Sequence, residues 1–281
     1  MPVAHKCRGC GYTSAKRWIE RCPECGRFFN IRQVNADIPG AEIAEPVDGE
    51  VISLSDAIAH VVEVPRIETG IVGIDHVLGG GFAKNSLNLI CGDPGCGKTC
   101  LILQAFQALA KLHYNTLYVT GEQTVNDLAL RAKSFGKFSA RMVAVRETDL
   151  DTILDIIDDR KPDIVAIDSL QTLFIDDDLE IGGSMSIKIA VRELMKYAKD
   201  EGVAIVLVGH VTKGGAIGGP RALEHFVDVN LWLAGNKSDP KRVLRVDSKN
   251  RFGETPRQAV FEMTEKGLVE VHEPNPEEKA S

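Results

Sequence analysis

No stretch of this sequence approaches the ~20 consecutive apolar residues that a bilayer-spanning helix needs. The opening Met1-Pro2-Val3-Ala4-His5-Lys6-Cys7 has no apolar core of the kind that marks a secretory signal. Both absences point to a cytoplasmic protein with no membrane partner. There is no internal repeat, and low complexity is confined to the acidic, Pro-containing tail over residues 273–281, which is expected to fray. Uniform basicity is missing as well. Lys and Arg number 33 against 40 Asp and Glu, a net charge of −7, which excludes a wholly basic nucleic-acid coat but not a local binding patch. No nucleophile–base arrangement suggests proteolysis. What is present is ordinary soluble composition, 44% hydrophobic and 26% charged, in 281 residues. That length suits roughly two domains of ~100–200 residues.

Charge divides the chain unevenly. Residues 1–33 carry seven cations and two acids, a local charge of +5, whereas residues 34–64 carry seven acids, no Lys or Arg, two prolines and two glycines. The second stretch reads as a linker. Four of the seven cysteines sit in the first segment as Cys7-x-x-Cys10 and Cys22-x-x-Cys25, eleven residues apart. Two such knuckles present four thiolates tetrahedrally to one Zn²⁺, and Gly11 and Gly26 follow each pair where the turn needs positive φ. A redox dithiol pair or two disulfides are the alternatives, which a reducing cytoplasm disfavours. A segment this short has little core without metal. Trp18, Phe28 and Phe29 either pack around the site or, beside Arg17 and Arg27, stack on bases.

The remaining region, 65–272, is organised around Gly92-Asp93-Pro94-Gly95-Cys96-Gly97-Lys98-Thr99, with apolar Leu87 and Leu89 before it and the helical run 101–111 after it. The spacing G-x-x-x-x-G-K-T lets successive backbone N–H groups turn inward on phosphate oxygens, and the following helix offers its positive dipole end. Lys98 reaches the β- and γ-phosphates of a nucleoside triphosphate in such a loop, and Thr99 ligates Mg²⁺. Cys91, Cys96 and Cys100 do not have metal-knuckle spacing. They read as small buried fillers or as a redox switch, in which case alkylating Cys96 blocks the nucleotide.

Short β-rich runs alternate with amphipathic helices from residue 64 onward, the pattern of an α/β fold with a mainly parallel sheet. Strands are expected at 87–90, 116–120, 142–145, 164–167, 204–208, 229–233, 243–246 and 259–262, with helices at 99–112, 124–135, 150–160 and 186–199. The close spacing of the last strands predicts an antiparallel end to the sheet. Ligands of such sheets gather at the carboxyl ends of the strands. Asp168, closing the apolar run Ile164–Ile167, is the expected Mg²⁺-orienting carboxylate. Glu122 is the candidate base that orients an attacking water, or else an acid at a helix N-terminus before Thr124. His210 either senses the γ-phosphate or is merely solvated.

These residues resemble the RadA/Sms family of bacterial recombination ATPases. The resemblance is carried by Cys7 to Cys25, Arg66-Ile67-Glu68-Thr69-Gly70, Leu78-Gly79-Gly80-Gly81, the phosphate loop, Gly121-Glu122-Gln123, Val208 to Lys213 and above all Lys249-Asn250-Arg251-Phe252-Gly253. It implies a RecA-like P-loop ATPase core, a mainly parallel twisted sheet with flanking helices, preceded by a small zinc ribbon. It also implies ATP, Mg²⁺ and Zn²⁺ as cofactors, single-stranded DNA and a RecA-type recombinase as partners, and assembly into a hexameric ring that promotes branch migration. In such a ring Lys249 and Arg251 project into the neighbour's nucleotide. Loops 178–186 and 213–220 then face the channel, where Lys213, Arg221 and Lys188 contact DNA phosphates, unless both loops are simple connectors. Full-length family members carry a further protease-like domain, so the chain reads as a short form in which ring formation is open. The alternative function is a nucleotide-gated adaptor for DNA or a recombinase with little motor activity.

Overall fold

In the computed structural model the described residues are 3–7, 12–14, 24, 31–35, 53–59, 63–209, 223, 225–236 and 238–271. They fall into two compact units, Met1–Glu63 and Val64–Ser281. In the first unit, β1 (Val3–Cys7) lies between β2 (Thr13–Ser14) and β3 (Ile31–Asn35) in an antiparallel sheet, with Lys6 opposite Thr13 and Val3 opposite Asn35. A short helix α1 (Leu54–Ala59) follows. Cys7 closes β1, while Cys10, Cys22 and Cys25 lie outside the described residues, as does most of the expected linker.

The second unit begins with the two-residue strands β4 (Arg66–Ile67) and β5 (Phe82–Ala83), which bracket helix α2 (Val72–Leu78). There follow β6 (Leu87–Cys91), α3 (Lys98–Lys111), β7 (Thr116–Thr120), α4 (Val125–Ala132), β8 (Met142–Arg146), α5 (Leu150–Arg160), β9 (Ile164–Asp168), α6 (Ser184–Glu201) and β10 (Ala204–Val208). The chain ends in β11 (Val229–Ala234), β12 (Lys241–Val246), β13 (Arg257–Thr264) and β14 (Gly267–Glu270). Among the described residues, nine strands form one sheet in the order β14-β13-β12-β11-β6-β10-β9-β7-β8. Pairing is parallel from β8 through β11 and antiparallel from β11 to β14.

The two halves have different patterns for a physical reason. Every residue of β6, β7, β9 and β10 is buried, because parallel strands of this kind are covered on both faces and need apolar side chains on both. In β11 and β12 burial alternates residue by residue, the signature of a sheet covered on one face. Helix α3 fills the space beside the parallel strands with ten buried residues of its fourteen, so its sequence is apolar nearly all round. No helix among the described residues is long and apolar enough to cross a membrane.

Helix starts follow local capping chemistry. Thr124 accepts from the Asp127 N–H while the Asp127 side chain accepts from the Thr124 N–H, a reciprocal capping box. Asp149 caps α5 by accepting from Thr152 N–H at 2.8 Å. The helix expected over 124–135 ends at Ala132 and tightens into a 3₁₀ turn over Lys133–Phe135, ahead of Gly136. The helix expected from 186 begins two residues earlier, at Ser184. Neither α2 nor β14 is anticipated by the sequence pattern. Helix α2 has only seven residues and contains Gly73, where a Cβ would stand 2.8 Å from the Ala259 Cβ. The glycine lets this short helix lie flush on β13, and that packing rather than propensity holds it in place.

The core closes over Phe106 and Tyr118, both fully buried, whose rings meet edge to face with centroids 6.5 Å apart. Phe106→Ala is expected to cost about 3–5 kcal/mol, read as a lowered midpoint in urea unfolding with an unchanged slope.

Candidate active site

The phosphate loop is shaped by what surrounds it. Gly92 and Gly97 have φ of 154° and 109°, and each lies where a side chain cannot fit. A Cβ on Gly92 would stand 2.2 Å from the Leu233 carbonyl oxygen, and one on Gly97 2.6 Å from the Met263 methyl. The loop is therefore pressed against β11 on one side and the β13–β14 hairpin on the other. The buried Lys98 folds back across it, donating to the carbonyls of Gly92 at 2.7 Å and Asp93 at 3.3 Å. Asp93, Pro94 and Gly95 are exposed at its crest, and the Cys96 N–H closes the turn by donating to the Asp93 carbonyl at 3.2 Å. Cys96 is fully buried beneath.

Asp168, at the carboxyl end of β9 and only 3% exposed, joins the loop to the centre of the sheet. Its Oδ2 accepts from the Thr99 hydroxyl at 2.7 Å and from the Tyr118 hydroxyl at 2.6 Å. Burial, and then the neighbouring Asp168 charge, pushes the Tyr118 phenol well above its ordinary range, so it stays a donor. A hydroxyl and a carboxylate oxygen this close form a hard donor set that fits Mg²⁺ better than a soft transition metal.

Glu122 stands beside this pair. Thr120 and Asp168 are opposite each other on the parallel strands β7 and β9, and the Gly121 N–H donates to the Asp168 carbonyl at 2.8 Å. At Gly121 a Cβ would fall 1.9 Å from the Thr172 hydroxyl, so only glycine allows the chain to pass. The exposed Glu122 then accepts from the Ser169 hydroxyl at 2.6 Å. The Asp168–Ser169 peptide is cis. Lys98, Thr99, Asp168 and Glu122 are thus gathered at the carboxyl ends of β6, β7 and β9.

The other sequence candidates lie elsewhere. Gly209 donates to the Ile90 carbonyl at 2.9 Å, but His210 after it is outside the described residues, as are Lys213 and Arg221. Lys188 is exposed on the second turn of α6. Lys249 and Arg251 lie at the opposite end of the sheet, beside the amino ends of β6 and β11. There Arg251 pairs with Asp228 at 3.0 Å, and Lys249 donates to the His225 carbonyl at 3.2 Å. The rest of that motif is structural. Asn250 donates to the Leu78 carbonyl at 3.1 Å, and Gly253 passes so close that a Cβ would meet the Asn250 amide at 2.8 Å. Arg66 donates to the Phe252 carbonyl and lies 5.5 Å from its ring centroid.

Two features of the site escape a motif-based reading. Arg242, 3% exposed, donates through Nε to the Cys96 carbonyl at 2.7 Å and through Nη1 to the Asp239 and Lys241 carbonyls, tying the loop to the β11–β12 hairpin. Its signal was an arginine in the buried phase of β12, aligned with Leu244 and Val246. A cavity of about 330 Å³ opens beside Gly97, Lys98 and Thr99, between Arg131 and Phe135 on one side and Met263–Gly267 on the other. Its second wall is fixed by Gln104, which exchanges hydrogen bonds with Leu268 at 2.8 and 3.2 Å.

The family described as "ATPase: KaiC" matches residues 67–142, the stretch from β4 through the phosphate loop to the start of β8. Across nearly the whole sequence the chain is 39% identical to the DNA repair protein RadA of Halalkalibacterium halodurans and 38% identical to that of Bacillus subtilis, each over 96% of this chain and 59% of the relative. Over nearly its whole length the chain is thus similar to RadA. It spans about 59% of the length of these relatives. The RadA protein of Aquifex aeolicus is 36% identical over 97% of this chain and 60% of its own. Among solved structures, a KaiC-like protein of the hyperthermophilic archaeon Pyrococcus horikoshii superposes with a TM-score of 0.61 at 20% identity, over 75% of this chain and all of that one. The fold is accordingly RecA-like, with the KaiC-like arrangement of a parallel sheet and flanking helices.

The three cysteines near the phosphate loop behave as packing residues. Cys91, Cys96 and Cys100 are buried thiols outside any disulfide, and burial pushes those of Cys96 and Cys100 up from their ordinary value. Fewer thiolates form at neutral pH, and reagents cannot reach them. Peptide mapping after iodoacetamide at pH 7.5 is expected to show these three unmodified in the native protein and modified in urea. Rapid native labelling of Cys96 would contradict the packing.

Proposed function

We propose that the chain is an ATP hydrolase of recombinational DNA repair, acting as a DNA-stimulated ring motor on single-stranded DNA during branch migration. The observation that carries this reading is the convergence of Lys98, Thr99, Asp168 and Glu122 at the carboxyl ends of three neighbouring strands. The loop N–H groups and Lys98 bind the phosphates, with Lys98 exchanging its loop carbonyls for phosphate oxygens. Thr99 and Asp168 hold Mg²⁺, which when bound neutralises phosphate charge. Glu122, oriented by Ser169, positions the attacking water and accepts its proton. The nucleobase occupies the cavity between Arg131 and the Met263–Gly267 hairpin, which Phe135 also lines.

Arg251 and Lys249 supply cations to the site of a neighbouring copy. Within one chain, β6 separates Arg251 from the phosphate loop by its whole length, ~16 Å for five residues. A head-to-tail ring brings the two ends together between subunits. His210 senses the γ-phosphate, Lys188, Lys213 and Arg221 contact DNA phosphates in the channel, and Cys7, Cys10, Cys22 and Cys25 hold Zn²⁺. The name that the relatives carry, DNA repair protein, supports DNA as the partner of this chain, and a RecA-type recombinase is the protein partner proposed.

The test is steady-state ATP hydrolysis with and without single-stranded DNA across a range of protein concentrations. A rate that rises with DNA, and more than linearly with protein, is expected; a slow, linear, DNA-indifferent rate would instead identify a nucleotide-gated adaptor. Glu122→Gln should lower kcat about 10²–10⁴-fold while keeping ATP and DNA binding. Lys98→Ala should lose nucleotide binding itself, and equal ATP affinity in the two variants would sink the assignment of roles.

A further inference from the structure

Asp228 is fully buried at the amino end of β11, yet it carries a carboxylate that must be satisfied there. Oδ2 accepts from the Leu87 N–H at 3.0 Å and from Lys199 Nζ at 3.0 Å, and Oδ1 accepts from Arg251 Nη1 at 3.0 Å. The backbone repeats two of these three connections, those to Leu87 and Arg251. Asp228 N–H donates to the Leu87 carbonyl at 2.8 Å, and Arg251 N–H donates to the Asp228 carbonyl at 3.1 Å. One residue thus grips the first residue of the strand that ends in the phosphate loop and also the arginine of the Lys249–Gly253 segment. Arg251 keeps 55% of its side chain exposed, so the ion pair holds one guanidinium nitrogen without burying the side chain.

We propose that Asp228 is a positioning residue that aims Arg251 at the neighbouring subunit's nucleotide and links that aim to the subunit's own phosphate loop through β6. The inference rests on the reading of Arg251 as a cation supplied in trans. Three features favour it over a merely structural ion pair. The carboxylate meets Arg251 through a single Nη, which leaves the planar fork able to swing about that contact rather than locking it bidentately. Lys199 takes the second oxygen, so the charge of Asp228 stays balanced when Arg251 turns toward another anion. The Phe252 ring lies 5.5 Å from Lys199 Nζ and 5.5 Å from the Arg66 guanidinium, holding the segment that carries Arg251 against the same corner. Strand β6 is buried along its length, so a shift at one end is carried to the other rather than absorbed by solvent-facing play.

The decisive experiment mixes subunits. Asp228→Asn alone should keep its ATP affinity within about twofold and lose about 10–100-fold in kcat, as Arg251→Ala should. The double variant should be no worse than Arg251→Ala, since one acts through the other. Mixed in equal amounts with Lys98→Ala, which is inactive but presents an intact Asp228–Arg251 pair, the Asp228→Asn chain should regain activity at about a quarter of sites in a head-to-tail ring. An Arg251→Ala chain with undiminished hydrolysis would sink the in-trans reading itself. If Arg251→Ala is impaired and rescued by mixing while Asp228→Asn is active, or impaired without rescue, the in-trans reading stands and the positioning role of Asp228 falls. Thermal melts accompany each variant. Should Asp228→Asn fail to fold, Asp228→Glu, which keeps the charge for Lys199 but displaces it by one methylene, takes its place with the same expected rescue and the same overturning result.

Discussion

A carboxylate buried in a protein interior is tolerated only when its oxygens are bonded, and the bond between Asp168 and Thr99 is the contact on which this site depends. It joins the end of β9 to the first turn of α3, two elements with no sequence proximity. Tyr118, from the strand between β8 and β9, completes the arrangement from below. Removing one partner of such a buried charge costs more than the bond contributes, because the remaining charge stays desolvated. The three side chains therefore hold one another in register. That register places Thr99 and Asp168 oxygens side by side and brings Glu122 to the adjacent strand end.

The antiparallel extension of the sheet is the loop's second support. A phosphate loop built from glycines has little conformational preference of its own, since glycine loses the most freedom on ordering. Here the surroundings supply the constraint. Leu233 and Met263 close off the space above Gly92 and Gly97, and the Arg242 guanidinium ties the Cys96 carbonyl to the hairpin beyond β11. Arg242 can be buried because its Nε and Nη1 donors are matched by three backbone carbonyls. Strands 11 to 13 are thus part of the nucleotide site although they carry none of its motif residues.

How much of this was legible in the sequence depended on whether the signal was local. The strand–loop–helix core, Asp168 at a strand end and Glu122 after Gly121 follow from short windows, because burial on both faces imposes continuous apolar runs and ligands gather at carboxyl ends. The antiparallel end of the sheet was legible from strand spacing. Helix α2 was not, since seven residues around Gly73 have no measurable period and their stability comes from contact with β13 some 180 residues later. Tyr118 and Arg242 were visible only as anomalies, a hydroxyl and a guanidinium in otherwise apolar positions. Each is a case in which a polar group inside a buried pattern announces a partner without naming it.

The two ends of β6 show why the Lys249–Gly253 segment is so specific. Asn250, Phe252 and Gly253 are consumed by contacts to the chain that begins the domain, at Leu78, Arg66 and Gly79. Their role is to hold the backbone of 249–253 at the amino edge of the sheet. That leaves Arg251 to reach outward from a rigid mount, with its inner donor on a carboxylate that also receives the first N–H of β6. A long side chain on a loose loop would lose rotamer entropy each time it engaged a phosphate. With its backbone mounted this way and Nη1 on Asp228, the cation would have less freedom to lose on meeting the phosphate proposed for it. The same strand that ends in the phosphate loop begins beside that cation, so in the ring proposed above each site would be bounded by one subunit's β6 end and the next subunit's β6 start. Coupling around that proposed ring would need no separate relay, only a buried strand stiff enough to keep its two ends in step.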